Sequence, residues 1–572
     1  MHVEDDSSSL LDTLREELGV RAPKDGCSPQ GQCGCCTVWV DGAPRVSCVT
    51  PVRRVAGREV TTTDGLTPAV ARAWAEALVA AGGSQCGFCT PGIILRLAAL
   101  GDRRGTAGRS VDEGTIRGAL AAHLCRCTGW QTIVEAAGAV LGVPVGPGVT
   151  DVAGNRTGAS AAPAPGLGTS ARDPLLAAWR AQIEGPAYQV STSETALGRA
   201  GFADDRAPRG AAVAVPAPDG SLVVAGSLAE ARRRSGKVQG RNSTAPLRPP
   251  LAVPEGEWLL TLQTSWVEPA YLEPDASWCL PGAEPGSPLA NGGAFGGKRR
   301  SPVPGLARRL ADDRGEPVRV LWSREEVVRR GPKRPPVAAG MRADGTGVLR
   351  VAWTGLDGPV GPVGPAAVRP GAGGPTGATD APGVGEYARR VRLVAPRLQV
   401  EVVEVPGPPV SPEVRGAGWA EAAVLAAVAE AVSCGRAVPG APVEVTSPSG
   451  CRARVAVPPE GAVTVEVWAG EVLDAVVLRS YCLGAVHQAL GWVRSEGVAV
   501  DDEGAVQDLT IRSYGILSAR ETPWVHVKIH QEDRWPVNGS DAVLVATAAA
   551  AWITDGLPPA WPTRRTAAGA HR

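Results

Sequence analysis

Eight of the thirteen cysteines in this sequence fall into two sets whose spacing could hold metal. Cys86 and Cys89 form a C-x-x-C pair in Gln85-Cys-Gly-Phe-Cys-Thr-Pro-Gly92, and Cys125 and Cys127 form a C-x-C pair in Leu124-Cys-Arg-Cys-Thr-Gly-Trp130. Each pair could place two thiolates on one metal atom. Upstream stand Cys27, Cys33, Cys36 and Cys48. Two complete sets of four thiolates in the first quarter of the chain most economically imply two iron–sulfur clusters. Zinc takes the same ligands, so a zinc-stapled structural protein is the alternative, as are free thiols for the first set. Colour separates them, because zinc sites are colourless. Cys35, Cys279, Cys434, Cys451 and Cys482 are dispersed and read as free thiols, although Cys35 is placed to compete as a ligand.

The elements around these cysteines follow from their punctuation. Ser8 to Gly19 reads as a short amphipathic helix, with serines at its cap, leucines at helical spacing and glycine at its stop. The Gly-rich stretch from Lys24 to Cys36 suits a cluster, because bare backbone N–H groups can approach the sulfurs. Thr37 to Val40, the turn Asp41-Gly42 and Arg45 to Val49 read as a β-hairpin with Cys48 on its second strand. This is the layout of a plant-type ferredoxin loop, C-x₄-C-x₂-C with a distant fourth cysteine, except that Cys27 and Cys33 enclose five residues. Four helices follow: one capped by Thr67, one capped by Thr90 and ending near Gly101, one opened by the capping box Ser110 to Glu113, and one capped by Thr128. Two helix N-termini then point toward the second set, and their partial positive charge favours an anionic cluster.

Composition bounds the rest. The 572 residues suffice for several domains, 44% are hydrophobic, and the 72 glycines and 51 prolines predict long loops. Net charge is zero, so nothing drives binding to nucleic acid or an anionic membrane by charge alone. The basic runs Arg232 to Arg234 and Arg329 to Arg334 read as solvated faces. The opening Met1-His-Val-Glu-Asp-Asp is acidic and polar, unlike a leader, and the best apolar run, Ala542 to Ile553, is too short to span a bilayer. The expectation is a cytoplasmic protein, in which clustered cysteines mean metal rather than disulfides.

The motifs C-G-x-C-T-P-G and L-C-R-C-T-G together resemble the iron–sulfur half of the molybdenum hydroxylases, the family of xanthine dehydrogenase and aldehyde oxidase. The resemblance runs through residues 1–145 and implies an α+β multidomain protein. It would have a ferredoxin-like β-grasp [2Fe–2S] domain at 1–65, a four-helix [2Fe–2S] domain at 66–145 and a linker at 146–185. A shortened, incomplete molybdopterin-binding-like region would follow at 186–572. It implies further that Gln85 touches a pterin. A strand hairpin is expected before the first helix, where only His2 and Val3 stand, as in a shortened start. His123 replaces the usual asparagine and reads as a surface or cap change.

Beyond residue 185 the resemblance carries over to separate stretches. Glu268-Pro-Ala-Tyr-Leu-Glu-Pro274 is similar to the family's E-H-x-Y-L-E-P, which implies that Glu268 lines a substrate pocket. Gly292, Gly293, Phe295, Gly296 and Gly297, ahead of Lys298, resemble the G-G-G-F-G-G-K loop at the molybdenum centre, and Arg415 the arginine of F-R-G-F-G. His487, in a stretch similar to the family's C-terminal region, reads as a core or surface histidine. There are departures. The T-Q-x-P and G-M-G-Q-G cofactor segments are absent, and Ser540 stands at the position of the catalytic glutamate. A serine hydroxyl does not act as a general base unaided, and the neighbouring Asp541 carboxylate is shorter and displaced.

Two functions follow. One is a hydroxylase-like oxidoreductase acting on an aldehyde or N-heterocycle at molybdopterin, with two [2Fe–2S] clusters carrying electrons to an external acceptor or flavin-bearing subunit. The other is an electron-transfer [2Fe–2S] protein whose large region is catalytically decayed and works beside a separate partner. No FAD or NAD motif is seen, and no nucleic-acid or membrane partner is expected.

Overall fold

The structure, a computed structural model, describes residues 8–107, 110–147, 149–150, 156–157, 172–185, 190–236, 245–286, 293–354 and 383–564. The expectations for His2 and Val3, for half of the linker and for Gly292 lie outside these residues. The chain folds as a multidomain α+β protein.

Ser9 caps the first helical turn, α1 (Leu10–Asp12), by accepting from the Asp12 N–H, and the chain continues as a π-helical stretch, Thr13–Glu17. Strands β1 (Thr37–Val40) and β2 (Ala43–Val46) form the expected hairpin, with Asp41 and Gly42 both at positive φ, and β3 (Val60–Thr61) pairs on the other side of β1. Cys48 is not on the second strand. The pairing ends at Val46, and Cys48 sits in a 3₁₀ turn, Ser47–Val49.

Four helices build the second unit: α2 (Pro68–Ala81), α3 (Thr90–Ala107), α4 (Glu113–Ala119) and α5 (Gln131–Leu141). Thr67 caps α2 as expected. Three other boundaries differ. Helix α3 takes in Thr90 and passes Gly101, whose cost of about 1 kcal/mol relative to alanine a long helix absorbs. The cap of α4 is Asp112, which accepts from the Thr115 N–H at 2.7 Å, so the Ser110 box is out of register. Helix α5 begins late because Gly129 and Trp130 both adopt positive φ, leaving Thr128 outside it.

After the short pair β4 (Val149–Thr150) and β5 (Arg156–Thr157), helix α6 (Pro174–Glu184) packs against the later core, so the end of the presumed linker is built into the protein. Then come α7 (Ser193–Ala196), β6 (Ala212–Pro216), β7 (Leu222–Ala225), α8 (Leu228–Arg234), β8 (Leu260–Thr264), β9 (Ala276–Cys279), α9 (Val303–Arg314), β10 (Val318–Leu321) and α10 (Arg324–Arg330). They continue through β11 (Val337–Met341), β12 (Gly347–Trp353), α11 (Val384–Val394), β13 (Leu398–Glu404), α12 (Trp419–Ser433), β14 (Val443–Thr446), β15 (Arg452–Ala456), β16 (Val463–Trp468), α13 (Ala475–Arg494), β17 (Val525–His530), α14 (Ser540–Thr554) and β18 (Ala560–Trp561). Three mixed sheets result, in the orders β7-β6-β10-β9, β13-β12-β11-β8-β18 and β14-β15-β16-β17.

Helices α13 and α14 are apolar nearly all round, which is the pattern of a wholly buried helix, and they pack on each other in the main core. The apolar run Ala542 to Ile553 is thus a core helix. Among the described residues no helix is long and apolar enough to cross a membrane. His487 on α13 is buried and pairs with the Leu517 carbonyl at 2.9 Å.

The basic runs are not simply solvated. Arg232 turns inward to Asp25 at 2.7 Å, and Lys333 and Arg334 are buried, the latter on Glu421 at 2.5 Å. Carboxylates supplied by remote segments draw these cations in, and a run read along the chain does not show them.

Candidate metal centres and the adjoining cleft

The first cysteine set is built on a loop that turns back on itself. Ser28, Gly31 and Gly34 all adopt positive φ, which absorbs the five-residue gap between Cys27 and Cys33. Lys24, fully buried, anchors the loop through Asp205 at 2.5 Å and the Gly198 carbonyl at 2.8 Å. Cys27, Cys33, Cys36 and Cys48 are buried, and their sulfurs are in mutual contact: Cys27 with Cys33 and Cys48, and Cys48 with Cys36. Hydrogen bonds from Cys33 and Cys48 hold the Cys27 thiol well below its ordinary range. The Gln30 N–H points at Cys27 Sγ from 3.2 Å.

His123 corrects the surface reading. It is buried beside this loop, 3.2 Å from Thr37 Oγ1, and a Cβ on Gly34 would meet its ring at 2.5 Å. Burial pushes its pKa down to about 3, so it is a neutral wedge. Next to it, the Leu124 N–H donates to the Cys33 carbonyl at 3.0 Å and fixes one cysteine motif against the other.

The second set draws on both ends of the helical unit. Cys86 and Cys89 lead into α3, and Cys125 and Cys127 follow α4. The thiols do not pair within motifs. Cys127 Sγ lies 3.6 Å from Cys86 Sγ, and Cys89 contacts Cys125. Each metal atom would therefore take one thiolate from each motif, because the two motifs enter from opposite sides. Donation from Cys89 first, then Thr128, pushes the Cys125 thiol down to about 6. Thr128 Oγ1 is 3.2 Å from Cys125 Sγ, which is its role in place of the helix cap. The Gln85 amide donates to the Cys127 carbonyl at 3.1 Å and to Ser480 Oγ at 2.9 Å. Gly293 abuts this set: a Cβ there would meet Cys127 Sγ at 3.2 Å.

Of the residues read as the molybdenum site, Glu268, Phe295 and Arg415 line a cleft beside the second set, and Gln85 lines a separate one. The lining of the first also includes Arg126, Gln488 and Glu496, and its volume is about 40 Å³. That is room for a few waters. Glu268 is buried against Arg324 and Lys333; burial opposes its charge, but these cations hold it below the usual carboxylate range. Arg415 is committed to Ser540 Oγ at 2.6 Å, Asp541 at 2.6 Å and Gln488 at 3.2 Å. Ser540 is fully buried at the start of α14, where its N–H donates to Glu184 at 2.9 Å. A Cβ on Gly296 would collide with the Glu413 carbonyl, and the Gly297 N–H is taken by the Ala294 carbonyl at 2.7 Å.

Sequence reasoning missed the ion pairs that fill this cleft. Arg126 forms a two-pronged pair with Glu496, with 2.8 Å on one arm, and donates to the Pro269 carbonyl at 2.8 Å. Its place inside the Leu-Cys-Arg-Cys motif was a signal; Glu496 and Glu184, single carboxylates far along the chain, gave none. A larger cleft of about 360 Å³ lies beside Gln85, lined by Ala177, Ala181, Val477, Ser480 and Tyr481.

The buried, mutually touching thiols fit iron–sulfur clusters. The cleft at the Gly-rich loop does not fit a molybdopterin: the guanidinium groups of Arg126 and Arg415 are committed to protein partners, and its volume is far below the roughly 300–1,000 Å³ of a cofactor pocket.

Comparison with known proteins bears on this arrangement. Residues 62–138 match the family described as [2Fe-2S] binding domain. The aldehyde oxidoreductase of Megalodesulfovibrio gigas is 40% identical over 136 residues, which cover 23% of this chain and only 14% of that protein. The nicotinate dehydrogenase small FeS subunit of Eubacterium barkeri is 36% identical over 135 residues, covering 23% of this chain and 81% of that subunit. The crystal structure of the aldehyde oxidoreductase from Desulfovibrio desulfuricans shares the fold with a TM-score of 0.66 at 14% identity, covering 98% of both chains.

Proposed function

We propose, for a chain that belongs to the molybdenum hydroxylase family, that it is an electron-transfer protein holding two [2Fe–2S] clusters and working with a separate redox partner. Residues 1–65 and 66–145 are the two cluster-binding units, and 186–572 is the scaffold that roofs them. When bound, such a cluster accepts and returns one electron at a time. Cys27, Cys33, Cys36 and Cys48 hold one cluster, and Cys86, Cys89, Cys125 and Cys127 the other. The Gln30 N–H and the N-terminus of α3 offset negative charge, while neutral His123 excludes water between the motifs. The observation that carries the reading is the contact geometry of the two buried thiol sets, next to a cleft closed by ion pairs.

The acceptor is an external carrier or a flavin-bearing subunit. Support comes from the nicotinate dehydrogenase relative, which is named as the small FeS subunit of its enzyme. A second reading, hydroxylation of an aldehyde or N-heterocycle at molybdopterin, is favoured by the 360 Å³ cleft beside Gln85.

Elemental analysis of the purified protein decides between them. Roughly four irons per chain without molybdenum is the expected result, from two [2Fe–2S] clusters. About one molybdenum per chain would overturn the electron-transfer reading in favour of the hydroxylase. Zinc in place of iron would overturn both.

A further inference from the structure

The first cysteine loop is gripped from outside by the large region, and the grip falls on Gln30 and Gln32. The backbone N–H groups of both residues donate to Cys27 Sγ, that of Gln30 from 3.2 Å. The Gln30 side chain leaves the loop. Its Nε2 donates to Glu325 Oε1 at 2.9 Å and to the Leu509 carbonyl at 3.1 Å, and its Oε1 accepts from the Ile511 N–H at 3.1 Å. Arg512 holds Gln32: its backbone N–H donates to Gln32 Oε1 at 3.3 Å, and its Nε donates to the Gln32 carbonyl at 3.0 Å. Glu325, Leu509 and Ile511 are buried, so the anchor on Gln30 belongs to the packed interior. Five residues separate Cys27 from Cys33, with Ser28 and Gly31 at positive φ, and such a loop has slack that an external anchor removes.

We propose that Gln30 is a positioning residue for the first cluster: anchored on Glu325, Leu509 and Ile511, it holds the loop's N–H groups on Cys27 Sγ and so raises the reduction potential of that cluster. The inference deepens the reading that Cys27, Cys33, Cys36 and Cys48 hold a cluster, and rests on it. Reduction adds negative charge that the ligand sulfurs share, so a donor on one of them stabilises the reduced form more than the oxidised form. A hydrogen bond weakens steeply as its angle closes, so a small drift of the loop is enough to lose that stabilisation. The large region then sets the potential at which the first cluster works, besides roofing the second.

The test uses the full-length protein with Gln30→Ala and Gln30→Met, each loaded with iron and sulfide and titrated with reductant under electron paramagnetic resonance. The first cluster's signal is the one that survives Cys127→Ser. Both variants keep every backbone N–H and every charge, so they change only the anchor. The expected result is that Gln30→Ala moves the midpoint of the first signal to more negative potential and leaves the second in place. Gln30→Met moves it as far, because methionine restores the length of the side chain and not its hydrogen bonds. The retained second signal shows that each variant has folded. Unmoved signals, equal movement of both, or a methionine variant with the wild-type potential would overturn the proposal. Loss of the first signal in both variants, with the second kept, would make Gln30 a requirement for holding the cluster rather than for its potential, and overturn it as well. A wild-type protein with one signal and half the iron would instead sink the underlying reading of the first set.

Discussion

The thiol sets and the cleft beside them adjoin, yet they are built in opposite ways. The thiol sets are local constructions: all eight cysteines lie in the first quarter of the chain, and most sit in short motifs whose own loops aim them. The cleft draws on Arg126, Glu268, Phe295, Arg415, Glu496 and Ser540, which are scattered from the first quarter of the chain to its end. Relatives match this chain at 40% and 36% identity across the first region, while the whole fold is shared at 14%. A site held by local motifs survives drift elsewhere. A site assembled from remote segments closes as soon as one neighbour supplies a countercharge.

The largest effect is expected where the thiol sets are broken. Cys127→Ser removes a thiol that touches Cys86, so one of two reduced-cluster resonances should vanish and iron should fall by about half, as expected for two independent Cys₄ sites. Loss of both resonances, or of neither, would show that the sets are not independent. In the cleft, Glu496→Ala leaves Arg126 buried and unpaired and should cost about 3–5 kcal/mol in denaturant unfolding. The double change Arg126→Met with Glu496→Leu should restore most of it; if it does not, the pair is more than a plug.

Ser540→Glu sharpens the same contrast. The new carboxylate would enter a fully buried position beside Glu184, and a loss of about 2–3 kcal/mol is expected. Molybdenum content should stay at zero; a gain would mean that the base position alone had kept the cofactor out.

The smallest effect per residue is in the pH response. His123 and His487 have folded pKa values pushed by burial to about 3 and about 4, below the unfolded value near 6.5. The unfolded state therefore binds more protons in the window below 6.5. Stability is full above that pH and falls with acid, by about 2 kcal/mol for each histidine at pH 5. Thermal melts at pH 7.5 and 5 measure this, and His123→Gln should remove its share of the drop.

The same contrast explains what could be read in advance. The cysteine motifs, the Thr67 cap and the Asp41-Gly42 turn were legible because each is decided within a few residues. Cross-motif pairing of the thiols was not, since C-x-x-C and C-x-C state only which atoms are near along the chain. His123, Arg232 and Arg334 read as surface because their partners, Thr37, Asp25 and Glu421, are remote. Glu268 and Arg415 do line one cleft, but nothing in their own segments announced that Arg324 and Asp541 would occupy them.

The roof over the second set has a temporal consequence. Trp130 donates to the Leu517 carbonyl at 3.0 Å, Arg117 to the Ala519 carbonyl at 2.5 Å, and Gln131 exchanges two hydrogen bonds with Val525 at 2.8 and 3.1 Å. A ribosome adding about 5–20 residues per second needs on the order of 20–80 s to travel from the second cysteine set to those partners. Through that interval Arg117, Trp130 and Gln131, which flank the second set, are without the partners that hold them in the finished protein.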